Sequence, residues 1–67
     1  MRRFRPDLVK SRRKRMGKTQ TRLSREAGIS QASLCNIEKG RKDPRAGTLA
    51  RIAEALDCGL DAFFVCD

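Results

Sequence analysis

Apolar residues recur along this chain at helical spacing, between polar runs and turn-forming glycines. Pro6-Asp7 opens a first helical stretch that carries Leu8 and Val9 and runs to about Arg15. It stops at Gly17, a residue suited to a left-handed cap. Leu23 and Ala27, four apart, share the inner face of a second helix, Gln20 to Ala27, which Thr19 can cap and Gly28 ends. Ile29 is an apolar plug in the turn that follows. Leu34 and Ile37 point inward from a third helix, Gln31 to Lys39, capped by Ser30 and terminated by Gly40. Leu49, Ile52, Ala53 and Leu56 keep the i, i+3, i+4, i+7 pattern through a fourth, from about Ala46 to Leu56. A last short helical piece, Leu60 to Phe64, returns Leu60, Phe63 and Phe64 to the core. No segment holds the period-two alternation of a strand. The pattern predicts an all-α fold, a compact bundle of five short helices.

Size narrows the choice of function. With 67 residues the chain makes one domain, and a domain this small buries only about 60% of the surface its unfolded chain exposes. A deep substrate cavity is hard to build in so little core. The organisation expected is a mobile basic arm at residues 1–5 and a folded domain at 6–67.

Charge points to a partner. The net charge is +8, but it is unevenly spread. Residues 1–25 hold 11 basic side chains and one acid, whereas residues 26–67 hold five basic and seven acidic. One end is a strong positive field, which implies a polyanionic partner such as nucleic acid or an anionic surface. No apolar run is long enough to span a bilayer, and no apolar stretch follows the basic N-terminus, so a cytoplasmic location is expected and no membrane partner. Three cysteines, Cys35, Cys58 and Cys66, without histidine or a CxxC pair, argue against a disulfide framework and against a metal site. No catalytic constellation, cofactor motif or small-molecule site is visible, so an enzyme is not expected.

The feature that carries function is the corner Gly28-Ile29-Ser30. Gly28 allows the positive φ of a tight turn, and Ile29 anchors it. Helices two and three then cross steeply, so that one can lie across a phosphate backbone while the next enters the major groove. With Leu34 and Ile37 inward, Ala32, Cys35, Asn36 and Lys39 lie on the far side of helix three, and Gln31 projects from its start. Amide side chains can pair with adenine N6 and N7, and Ala32 is small enough to touch a thymine methyl.

The run Gln20-x-x-Leu23-Ser24-x-x-Ala27-Gly28-Ile29-Ser30-x-x-Ser33-Leu34-x-x-Ile37-Glu38-x-Gly40, followed by Pro44, Leu49, Ile52-Ala53 and Leu56, resembles the Cro and phage-repressor type (Xre) helix-turn-helix family. The resemblance covers about Leu8 to Phe64. It implies a lambda-repressor-like five-helix domain with the helix-turn-helix at helices two and three. It further implies a homodimer on double-stranded DNA, reading a palindromic operator as a transcriptional regulator, most often a repressor. The alternative is a DNA-binding antitoxin or interaction module of a toxin–antitoxin or restriction-modification system. By the same resemblance Gln31, Ala32, Cys35 and Asn36 read bases. Thr19, Gln20, Ser30, Ser33, Lys39, Arg41, Lys42 and Arg45 bind phosphate, and Arg13 and Glu38 form a structural ion pair. Arg12 and Lys18 stand where the family usually has apolar residues, and Asp57 where it usually has glycine. Leu8, Val9 and Met16, helped by Phe4, are then expected to supply the core contact of helix one.

Overall fold

The structure, a computed structural model, describes residues 2–66. In chain order these form strand β1 (Arg2–Phe4), helices α1 (Pro6–Arg15), α2 (Gln20–Ala27), α3 (Gln31–Glu38) and α4 (Ala46–Ala55), a 3-10 turn (Leu60–Phe63) and strand β2 (Phe64–Cys66). The helices begin where local chemistry favours it. Pro6 occupies the first turn of α1, where its missing N–H costs nothing. Thr19 and Ser30 accept the free N–H groups of Arg22 and Ser33, capping α2 and α3.

Three helix ends turn on a glycine with positive φ: Gly17, Gly28 and Gly40. At α2 the Gly28 N–H donates to the Arg25 carbonyl and the Ile29 N–H to that of Ser24, a Schellman closure that aims Ile29 at the core. Helix α4 closes with the same bonding, from the Asp57 N–H to Glu54 and from the Cys58 N–H to Ala53, but with Asp57 at φ 55° instead of a glycine.

The core is one cluster. Val9, Leu23, Ala27, Leu34, Ile37, Leu49, Ile52, Ala53, Leu56 and Phe63 are buried, with Phe4, Leu8, Ile29, Ala55, Cys58 and Phe64 packed against it. Burying one such Leu, Ile or Phe side chain contributes about 1.5–3 kcal/mol.

Four expectations need correction. Among the described residues the fold has four α-helices, with a 3-10 turn in place of a fifth. Residues 2–4 are not a mobile arm. They form β1, antiparallel to β2 with Arg2 opposite Cys66, Arg3 opposite Val65 and Phe4 opposite Phe64. The Arg5 N–H extends the ladder to the Phe63 carbonyl at 2.7 Å. The rings of Phe4 and Phe64 lie 5.7 Å apart, and the Arg2 guanidinium sits 5.5 Å from the Phe64 ring centre. Met16 is 41% exposed and Leu60 43% exposed, so neither is core. Met16 falls beyond the end of α1, and Phe63 fills the space beneath the 3-10 turn. Helix α3 ends at Glu38, leaving Lys39 as its cap. Met1 and Asp67, included in the arm and the domain respectively, lie outside the described residues.

Arg12 and Lys18 explain their departure from apolar character. The Arg12 Nε donates to the Leu56 carbonyl at 3.1 Å and its Nη2 to that of Asp57 at 3.4 Å. The Lys18 Nζ donates to the Ala55 carbonyl at 2.6 Å and to Glu26 Oε1 at 2.8 Å. Both cations therefore satisfy free carbonyls at the C-terminus of α4, the negative end of its dipole. Burial pushes the Cys58 thiol up from its ordinary value, Arg12 opposing the shift.

Candidate nucleic-acid interface

Helix α3 is held at both ends and along its inner side. Its start is fixed by the Gly28–Ser30 corner, where the Ser30 hydroxyl accepts the Ser33 N–H at 3.0 Å and donates to Ser33 Oγ at 2.9 Å. Leu34 and Ile37 are buried beneath it. Its end is tied to α1: Arg13 Nε donates to Glu38 Oε2 at 2.8 Å and Arg13 Nη2 to Oε1 at 3.2 Å. The Arg13 Nη1 donates to the Lys18 carbonyl, and Gln20 Nε2 donates to Glu38 Oε1 at 3.0 Å. The pair's side chains are only 9% and 2% exposed. A bidentate pair this buried fixes α3 against α1 and the start of α2 at once.

What the brace leaves outward is an uncharged ridge. Gln31 and Ala32 are exposed, and Cys35 and Asn36 are half-buried on the same side. The ridge ends in cations. Lys39, Arg41, Lys42 and Arg45 are all exposed. Lys42 and Arg45 share a shallow cleft of about 270 Å³ with Ser33 and Ile29, so the loop brings its charge next to the first turn of α3. No ion pair is seen for these four cations among the described residues. Fixed polar side chains flanked by unneutralised cations can hydrogen-bond base edges while the cations meet phosphates.

The structure places the other expected phosphate ligands around the start of α2 and α3. Thr19 and Ser30 are exposed but use their oxygens as helix caps. Gln20 is half-buried, with its amide turned inward to Glu38. Thr21, which the sequence did not single out, is exposed, and its hydroxyl donates to Gln31 Oε1 at 3.1 Å. Only an α2 numbering in which Thr21 faces the corner could have pointed to it.

The profile of the helix-turn-helix family matches residues 9–63, from the first core residue of α1 to the last of the 3-10 turn. This chain belongs to the helix-turn-helix family. It is 37% identical over 49 residues to an HTH-type transcriptional regulator of Methanothermobacter thermautotrophicus, covering 73% of this chain and 71% of that one. It is 37% identical over 54 residues to the ImmF control region 10 kDa protein of Bacillus phage phi105, covering 81% of this chain and 60% of that protein. Among solved structures, the P22 c2 repressor in complex with a synthetic operator superposes with a TM-score of 0.85 at 23% identity, over 91% of this chain and 92% of that one. The last likeness is one of fold. This helix-turn-helix domain shares the fold of the DNA-binding domain of the P22 c2 repressor. No helix among the described residues is long and apolar enough to cross a membrane.

Proposed function

We propose that this chain is a sequence-specific transcriptional regulator that binds double-stranded DNA through α3 and acts by occupying an operator, most simply as a repressor. The observation that carries the reading is the uncharged ridge Gln31, Ala32, Cys35 and Asn36, held rigid by the buried Arg13–Glu38 pair and flanked by exposed cations. In this reading Gln31 and Asn36 hydrogen-bond base edges, and Ala32 and Cys35 offer small apolar contacts. Lys39, Arg41, Lys42 and Arg45 meet phosphates, with Ser33 and the exposed cap residues Thr19 and Ser30 beside them. Gln20 contributes through Glu38, and through whatever of its amide remains once that bond is made.

Two subunits read a palindrome, with half-sites about 34 Å apart, one DNA turn. The domain measures 32 × 22 × 19 Å, dimensions of the same order as that spacing.

Selection from a random duplex library tests the reading. The expected consensus has two symmetric halves, and Gln31→Ala relaxes one base position in each by about 1–3 kcal/mol. If each subunit neutralises about three to five phosphates, log affinity falls against log salt with a slope of about −5 to −9 for the dimer. A library without enrichment, or a slope near zero, overturns the proposal.

A further inference from the structure

Helix α3 has two flanks, and its contacts tell them apart. On one, Ser33 and Ile37 share a cleft with Lys42, Arg45 and Thr48. On the other, Gln31 accepts from Thr21, and Glu38 accepts from Arg13 and Gln20. A helix lying in a major groove has a phosphate wall on either side. Lys42 and Arg45 serve the first flank. The start of α2 offers the second only uncharged side chains, with the Gln20 amide turned inward to Glu38. We propose that Lys10 and Lys14 of α1 supply the charge on that side: they meet phosphates of the second wall, so that each subunit grips both strands of its half-site with cations. This inference rests on the reading of α3 as the helix in the groove.

The placement follows from the spacing within α1. Pro6, Lys10, Arg13 and Lys14 stand at i, i+4, i+7 and i+8, which is one stripe of the helix. Two anchored members show which way the stripe faces. Pro6 lies against Gly40, its Cγ 3.5 Å from where a Cβ on Gly40 would stand. Arg13 holds the Glu38 carboxylate through Nε and Nη2. Lys10 falls between these two contacts and Lys14 next to the second, so both stand on the side of α1 nearer the end of α3. Both are exposed, and no ion pair is seen for either among the described residues.

Nothing nearby cancels this charge. Asp7 is the sole acid of α1, and Arg5 holds it through Nε at 3.0 Å and Nη2 at 3.1 Å. Glu38 is spent on Arg13 and Gln20. A lysine ammonium on a flexible stem suits a phosphate wall, where a point charge is wanted and no fixed fork geometry is needed. Arg15 provides an internal control. It is exposed and without an ion pair among the described residues, but it lies on the opposite edge of α1, three residues from Arg12, whose guanidinium turns to the end of α4.

The test measures affinity against salt for the full chain on the consensus duplex recovered by library selection. Lys10→Gln and Lys14→Gln should each weaken binding roughly three- to tenfold per subunit near 0.15 M salt and flatten the slope by about 0.9 per subunit. The consensus itself should not change, because phosphates carry no base identity. Arg15→Gln removes the same charge and should leave the slope at the wild-type value. Ethylation interference then assigns the walls: the double variant Lys10→Gln/Lys14→Gln should lose interference on one strand of each half-site, and Lys42→Gln/Arg45→Gln on the other. Lysine variants indistinguishable from Arg15→Gln, or all four cations mapping to one strand, overturn the role of α1 and leave the groove-binding helix intact. A wild type without any consensus, or with a slope near zero, overturns the underlying reading and this inference with it.

Discussion

Arg13 shows how much of this small domain rests on single side chains. Its guanidinium makes three hydrogen bonds, two to Glu38 and one to the Lys18 carbonyl, with almost no exposure. Removing one partner of a buried pair leaves the other charge unmatched and costs about 3–5 kcal/mol. A domain of this length has a total stability on the order of 3–10 kcal/mol. Arg13→Ala is therefore expected to remove a third or more of the stability and lower the urea midpoint in proportion, and an unchanged midpoint would refute the pair's importance. Asp57 is the opposite case. It occupies the left-handed region without being glycine, and it puts a carboxylate at the negative end of α4. Asp57→Gly relieves both and should raise stability by up to about 1 kcal/mol in the same denaturation assay.

At the scale of elements, the α4 terminus is a junction where α1, α2 and α4 meet through cations. Lys18 links the Ala55 carbonyl to Glu26, and its hydrogen bond holds the Glu26 carboxyl below its ordinary value of 4.5. A depressed carboxyl contributes stability that is present above pH 4.5 and disappears as the pH falls below it. Melting curves of the wild type and Glu26→Gln should thus differ at pH 7 and converge in acid. Curves that stay parallel would mean that the Lys18–Glu26 contact adds nothing.

This junction also marks where sequence reading reaches its end. The first three helices were legible because each boundary has a local cause, Pro6 or a Thr or Ser cap at the start and Gly17, Gly28 or Gly40 at the stop, whereas α4, which has no side-chain cap and ends on Asp57, was legible from the helical period of Leu49–Leu56. The exposure of Gln31 and Ala32 follows from the same periodicity once Leu34 and Ile37 are placed inward. The carbonyl partners of Arg12 and Lys18 lie 37 to 45 residues away, and no local spacing reveals them. Charge at those positions looked like a loss of core, although it serves as capping. The inward turn of Gln20 and the contact of Thr21 with Gln31 likewise depend on how two helices cross. Strands of three residues are too short to show alternation, so β1 and β2 left no trace in the pattern.

The whole molecule combines this scaffold with a polar distribution of charge. The first 25 residues carry most of the cations, and part of that charge is built into structure at Arg2, Arg5, Arg12, Arg13 and Lys18. The electrostatic footprint offered to a polyanion is correspondingly smaller than the composition suggests. Packing of the first strand has its own check. Phe4 lies against the core and the Phe64 ring, so Phe4→Ala should lower stability by about 1–2 kcal/mol. A detached arm would lose nothing.

The β1–β2 ladder has one more effect. It joins Arg2 to Cys66, so nearly the whole chain is a loop that must close before those bonds form. The entropy of closing a loop of that length amounts to about 3–4 kcal/mol. A covalent bridge between residues 2 and 66 would remove it by confining the unfolded chain to a ring, and the native geometry already sets these two residues side by side.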